Sequence, residues 1–278
     1  MVVRMDQPAP PAPHHQRARG RAELGLVAAA GGARIAHLFQ SSPLRILFPD
    51  ADPDEPKQAA LVNVAGGLAG GDRLDAALTL GPDARCTVTT PAAEKIYRSL
   101  GPPTEITAHL TLGERATGEW LPQETILFDG ARLARRLDIV LAADARLLAA
   151  EMLVLGRAAR AERFTRGALR DRWCIRRDGR LLWVDALHLA PETIPNRFTL
   201  DGAGALATLV LAMPDAAAHR DLAREMAAGG AGQVAPGLLV ARWLGEAGQV
   251  RAALAAALVA LRAQALGLPA RLPRLWRI

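Results

Sequence analysis

The sequence predicts a mainly β protein that ends in two α-helices. Three observations predict it. Apolar residues alternate with period two through the middle of the chain; an Asp-Gly pair sits between two strand-like runs; and the period changes to that of a helix beyond residue 214.

The strands follow in order. Leu74, Ala76, Leu78 and Leu80 fall on one side of a segment whose other side carries Asp75 and Thr79. "EITAHLTL" repeats the pattern, with Ile106, Ala108, Leu110 and Leu112 inward and Glu105, Thr107, His109 and Thr111 outward, so His109 is expected at the surface. "RRLDIVLAA" places Leu137, Ile139 and Leu141 inward. "RLLAAEMLVLG" is apolar on both faces apart from Glu151, the pattern of a strand covered on each side. In "RWCIRRDGRLLWVDAL", Asp178-Gly179 supplies the positive φ angles of a tight hairpin.

Two helices are predicted after the strands. The first starts at Asp215 as N-cap, carries Ala218, Leu222 and Met226 on a four-residue spacing, and stops at Gly229. The second presents Val250, Leu254, Leu258 and Leu261 as one stripe and ends at Gly267, with Pro269 beyond. No internal sequence repeat defines a repeat length. Residues 1–20, "MVVRMDQPAPPAPHHQRARG", form an expected disordered Pro-rich tail, and 21–278 one domain that includes a helical segment at 214–268.

Composition narrows the chemistry. The chain has 278 residues and a net charge of +6 from 34 basic and 28 acidic residues; Lys57 and Lys95 are the only lysines, so the rest of the basic set is arginine. The two cysteines, Cys86 and Cys174, form no CxxC pair, and neither a disulfide framework nor a zinc knuckle is indicated; a reducing cytoplasm fits. The tail lacks the apolar stretch of a secretory signal, and "RAALAAALVALRAQALG", interrupted by Arg262, is too short for a bilayer. Nucleic-acid binding ranks low, because aromatic content is 4% and Tyr97 is the only tyrosine.

The stretch "LVNVAGGLAGGDRLDAAL" puts four glycines, Gly66, Gly67, Gly70 and Gly71, between two apolar runs. A phosphate loop would continue from Gly66 and Gly71 into Lys and Ser or Thr at a helix start; here Asp72 and Arg73 follow, and then a strand. The glycines are therefore assigned to a corner that needs positive φ or close approach. The six histidines show no helical ligand pair outside the tail, and neither a GxSxG elbow nor a GxGxxG loop is present. Asp72, Glu119, Glu124, Asp129 and Glu151 sit in or beside apolar β segments, where a charge needs an arginine, a turn to cap, water or a cation. Taken singly, each is more often a salt-bridge or capping residue. Lys95, Tyr97, Arg98 and Ser99 gather on one short segment suited to contact with an anion or a protein.

Four ordered blocks, "NVAGGLAGGDRL", "TVTTPAAEKIYRS", "EWLPQETILFDGARLARRL" and "RLLAAEMLVLGRAARAE", resemble the urease accessory protein UreD (UreH) family, with looser likeness in "LFQSSPLRILFP" and "LPRLWRI". The Pro-rich extension and Gly118, where a larger apolar residue is usual, depart from the family pattern. The resemblance implies a helix-like winding of strands with a pair of helices, and a cytoplasmic, non-catalytic scaffold with no tightly bound cofactor. It implies binding of apo-urease and of UreF, which recruits the GTPase UreG, and help with nickel insertion into urease. On this reading Asp72, Glu124, Asp129 and Glu151 include oxygen ligands of a transient Ni²⁺ route, Glu151 foremost. Lys95, Tyr97 and Arg98 and the C-terminal helices become candidate partner contacts. The alternative expectation is a cytosolic enzyme of unknown reaction in a β fold.

Overall fold

The computed structural model describes residues 17–30, 32–228 and 230–277. Its strands are β1 (Arg19–Ala29), β2 (Gly32–Ser41), β3 (Leu44–Leu47), β4 (Lys57–Asn63), β5 (Arg73–Leu80), β6 (Arg85–Thr89), β7 (Glu94–Ile96), β8 (Thr104–Leu112), β9 (Thr117–Leu121), β10 (Thr125–Leu127), β11 (Arg132–Leu141), β12 (Arg146–Arg157), β13 (Glu162–Arg163), β14 (Ala168–Arg177), β15 (Arg180–Leu189), β16 (Ala205–Ala212), β17 (Ala231–Ala235) and β18 (Leu238–Gly245). The helices are α1 (Arg220–Met226) and α2 (Ala247–Leu266).

From β4 onward the chain winds as a solenoid. Each turn lays one strand in one sheet, crosses a short third side, and lays the next strand in the facing sheet. One sheet has the order β15-β14-β11-β8-β5-β1-β2, in which β1, β5, β8, β11 and β14 run parallel. The facing sheet has the order β17-β18-β16-β12-β9-β6-β4-β3, with β4, β6, β9 and β12 parallel. The third side is made by Leu68, β7, β10 and the end of β12.

The period-two pattern explains the stacking. Leu24, Leu78, Leu110, Ile139 and Ile175 lie in register across five strands and are all buried in the core between the sheets. The repeat is one of structure, with Lys57, Cys86, Gly118 and Leu147 in register on successive turns. Their side chains have nothing in common, which is why no sequence period showed it. At Gly118 the space is already filled: a Cβ there would lie 2.8 Å from Leu112 Cδ2 and 3.4 Å from Leu80 Cδ1. The hairpin between β14 and β15 turns on Asp178 (φ 48°) and Gly179 (φ 70°), as predicted.

β12 is covered on both faces. Leu147, Ala149 and Leu153 face the solenoid core, while Leu148, Ala150 and Met152 face a second core beneath the helices. Strand β1 begins at Arg19, inside the stretch assigned to the tail, and the tail's His14 and His15 lie outside the described residues.

α2 buries Val250, Leu254, Leu258 and Leu261 and is stopped by Gly267 in the left-handed region, as expected. Its N-cap is Glu246, whose side chain accepts from the Gln249 backbone N–H at 3.1 Å. With 20 residues α2 is long and apolar enough to cross a bilayer, so the length argument against this does not hold; what occupies its apolar stripe is the β sheet.

The first predicted helix is corrected. It divides into a 3₁₀ turn at Ala216–His219 and the short α1, and Asp215 makes no side-chain cap. Ala218 is exposed, whereas Ala216, Ala223 and Ala227 are buried. Small alanines let this segment lie close to α2 and β17, which overrides the stripe of larger residues. The predicted stop at Gly229 falls outside the described residues.

Arg262, the charged residue that interrupts this apolar run, is fully buried. Its Nε donates to Glu119 Oε1 at 2.8 Å, and its Nη2 pairs with Glu55, while Nη1 donates to the Arg271 carbonyl. Thr87 Oγ1 donates to the other oxygen of Glu119. The guanidinium thus ties α2, β9, the loop before β4 and the C-terminal segment to one point. Arg262→Met would leave Glu119 buried without a counter-charge, while Glu55 keeps Arg271, and a loss of about 3 kcal/mol or more is expected in chemical denaturation, since breaking a buried ion pair on one side costs that much.

Candidate functional site

Between the two sheets, side chains that break the inward apolar pattern meet. Arg135 stands at an inward position of β11 in line with Leu133 and Leu137, and Asp171 at an inward position of β14 in line with Leu169 and Trp173. The two residues are direct neighbours in the parallel register. Arg135 Nε donates to Asp171 Oδ1 at 2.9 Å and Nη2 to Asp171 Oδ2 at 2.6 Å, a two-pronged pair. Nη2 also lies 3.0 Å from Glu151 Oε2, and Nη1 donates to Thr125 Oγ1 at 3.3 Å. Glu151 comes from the facing sheet, on β12, and its Oε1 accepts from Trp120 Nε1 at 3.0 Å.

Arg135, Glu151 and Asp171 are 8%, 6% and 9% exposed, so two carboxylates share one guanidinium with little exposure to bulk water. Glu151 Oε2 receives no well-directed hydrogen bond. Burial pushes the Glu151 carboxyl up; the Arg135 charge opposes that shift and the Asp171 charge adds to it.

The cluster separates two cavities, and Arg135 and Glu151 line both. The first, of about 310 Å³, also contains Asp171, Asp185, Thr208 and Arg242. The second, of about 80 Å³, contains Asn63, Glu94, Thr125 and Gln123. Glu94 starts β7, and both its oxygens accept from Asn63 Nδ2, at 3.0 and 3.1 Å. Burial pushes its carboxyl up to about 7. Among the described residues, no group of three or more His, Cys, Asp or Glu side chains is assembled to hold a metal ion. An ion entering here would meet carboxylates in succession and no closed cage.

Of the four carboxylates that the sequence reading assigns to a nickel route, Glu151 alone faces these cavities. Asp72 closes the glycine corner, Oδ1 accepting from the Ala18 N–H at 2.9 Å and Oδ2 from the Ala69 N–H at 2.7 Å. Glu124 pairs with Arg251 of α2 at 2.6 Å. Asp129 accepts from the backbone N–H groups of Thr165 and Arg166, both at 2.9 Å, and pairs with the Arg166 side chain. Partial burial works against ionisation of Asp129, but these donors outweigh it and hold the carboxyl down to about 2.

Lys95, Tyr97 and Arg98 lie exposed on the third side of the solenoid. Tyr97 is fixed there: its OH donates to the Gly66 carbonyl at 3.0 Å, and its ring meets Phe128 edge-on at 5.2 Å. This accounts for the glycines. A Cβ on Gly67 would sit 2.6 Å from the Tyr97 ring, and one on Gly70 would sit 2.0 Å from Ser99 Oγ. Both glycines serve close approach, and no phosphate is needed to explain them.

The matching family model, described as UreD urease accessory protein, covers residues 18–277. The chain belongs to the UreD urease accessory protein family. It is 51% identical over 238 residues to the urease accessory protein UreD of Granulibacter bethesdensis, covering 83% of this chain and 99% of that protein. It is also 44% identical to that of a Methylobacterium species, covering 97% and 98%, and 41% identical to that of Magnetococcus marinus, covering 95% of each. The UreD family model thus takes in every strand, both helices and the buried cluster.

Sequence reasoning missed Arg135, Asp171 and Glu94. The first two were visible as charged residues at inward positions of alternating strands; Glu94, in a three-residue strand, carries no such signal. Because the folded protein keeps the Glu94 proton up to about pH 7 while the unfolded chain releases it near 4.5, stability should fall as pH rises through that window. Glu94→Gln should flatten this slope, gaining up to about 3 kcal/mol over wild type at pH 8 and nothing at pH 4, as read from urea midpoints.

Proposed function

We propose that this chain is a non-catalytic scaffold of urease maturation that binds apo-urease and UreF, through which UreG is recruited, and that nickel passes through its interior on the way to urease. Family membership supports the role in maturation. The observation that carries the interior route is Glu151: a buried carboxylate with one undirected oxygen, shared by two cavities and opposed by a single guanidinium for two acids.

Asp185, Asp171, Glu151 and Glu94 then form the order in which a cation would meet oxygen donors from the larger cavity to the smaller. Nickel accepts oxygen and nitrogen ligands, and weak successive sites let an ion leave as readily as it enters. Arg135 occupies the position of a resident cation between Glu151 and Asp171, so passage requires its guanidinium to give way. On this reading the chain passes the ion on and breaks no covalent bond, and nucleotide hydrolysis is left to UreG. The exposed Lys95, Tyr97 and Arg98, rigidified by Phe128 and the glycine corner, serve as a contact for a protein partner; a fixed aromatic ring loses little entropy on binding.

Glu151→Gln removes the charge and keeps the shape and the Trp120 partner. In a strain carrying this variant, purified urease should contain several-fold less nickel while UreF still co-purifies with the variant. Urease with its full nickel complement would remove Glu151 from the route.

A further inference from the structure

An ion that reaches Glu151 and Asp171 must displace a guanidinium that cannot leave the molecule. Arg135 fills the space between the two acids, and a second positive charge at that point repels it. Its stem is fixed to β11, and it lines both cavities, so the group moves into one or the other.

The acids lining the two cavities decide which. In the larger cavity Asp185 already has a partner, Arg242, which reaches across from β18 of the facing sheet. In the smaller cavity Glu94 has none. Among the described residues, the only side chain that donates to Glu94 is the neutral amide of Asn63, and Glu94 makes no ion pair. Of the four acids that line the cavities, Glu94 alone lacks a cationic group within ion-pair distance.

The way to Glu94 is short. Arg135 Nη1 already donates to Thr125 Oγ1 at 3.3 Å, and Thr125 on β10 is the direct register neighbour of Glu94 on β7. Such neighbours on parallel strands share a face and lie about 4.8 Å apart. Arg135, Thr125 and Glu94 all line the smaller cavity, as does Trp120, and a guanidinium stacks well on an aromatic ring. We propose that Arg135 is a two-seat gate: its guanidinium swings from the Asp171 and Glu151 carboxylates to Glu94 as the ion arrives, and returns as the ion moves on. This rests on the interior route proposed above and adds the residue that controls it.

The exchange keeps the buried charges matched. While the ion is held by Glu151 and Asp171, the guanidinium covers Glu94. Once the ion reaches Glu94, the guanidinium covers the two acids that the ion has left. At neither step is a buried carboxylate stripped of its counter-charge, which is the costly event in an enclosed ion pair. Arg135 is thus a positioning residue that binds no ion itself.

The swing is tested without nickel. Asp171→Asn/Glu151→Gln removes the charge of the first seat and keeps its shape. Crystals of the full chain are grown at pH 8, where the Glu94 carboxyl, pushed up to about 7 by burial, is ionised. There the Arg135 guanidinium should lie about 5 Å from its wild-type position, within hydrogen-bond distance of Glu94. A guanidinium left in place, or turned toward the larger cavity, would overturn the inference. Should that variant not fold, Asp171→Asn alone, in which Glu151 still holds Arg135, should show the side chain divided between two positions, and adding Glu94→Gln should collapse them to one. A single position in Asp171→Asn would also overturn it. Failure of the nickel route reads separately, as fully loaded urease from the Glu151→Gln strain, whatever position Arg135 takes in these nickel-free crystals.

Discussion

Two carboxylates and one guanidinium, enclosed between two apolar sheets, set the terms for the rest of this molecule. A buried charge costs several kcal/mol unless a partner compensates it, and Arg135 can compensate only one of Asp171 and Glu151 in full. The winding of the chain creates the arrangement: parallel register puts Arg135 beside Asp171, and the facing sheet brings Glu151 to within 3.0 Å of the same nitrogen. The surplus negative charge is therefore a property of the fold itself. It invites either a proton, consistent with the raised Glu151 carboxyl, or a cation.

A second buried guanidinium shows the opposite outcome. Arg262 also meets two carboxylates, Glu119 and Glu55, but there Arg271 reaches Glu55 as well, Thr87 donates to Glu119, and carbonyl groups accept the remaining guanidinium protons. All four carboxylate oxygens of that site have partners, and it joins the C-terminal segment to the solenoid. The contrast separates a structural clasp from a site with room for an ion. Both use an arginine between acids; the unfilled oxygen of Glu151 distinguishes them.

Much of this was legible in the sequence, and the reason differs by element. Strict alternation exposed β5, β8 and β11, and Asp178-Gly179 exposed the hairpin, because period and turn chemistry act locally. α2 was legible from its bulky stripe, whereas α1 was not: in an alanine-rich segment the buried face is chosen by what packs on it. The four blocks that resemble the UreD family pointed to the family before any coordinates. The acidic residues were harder. Asp72 and Asp129 turned out to hold backbone N–H groups at corners, which a sequence cannot distinguish from a ligand role. Arg135 and Asp171 broke an inward pattern in plain view, but their meeting depends on a register that no local signal specifies.

The most direct test of an interior cation route is crystallographic. Crystals of the protein soaked in nickel, with diffraction collected at the nickel absorption edge, should show an anomalous peak within coordination distance of Glu151 Oε2, with the Arg135 side chain moved off that oxygen. Peaks confined to surface histidines, with Arg135 still seated between Glu151 and Asp171, would contradict the account.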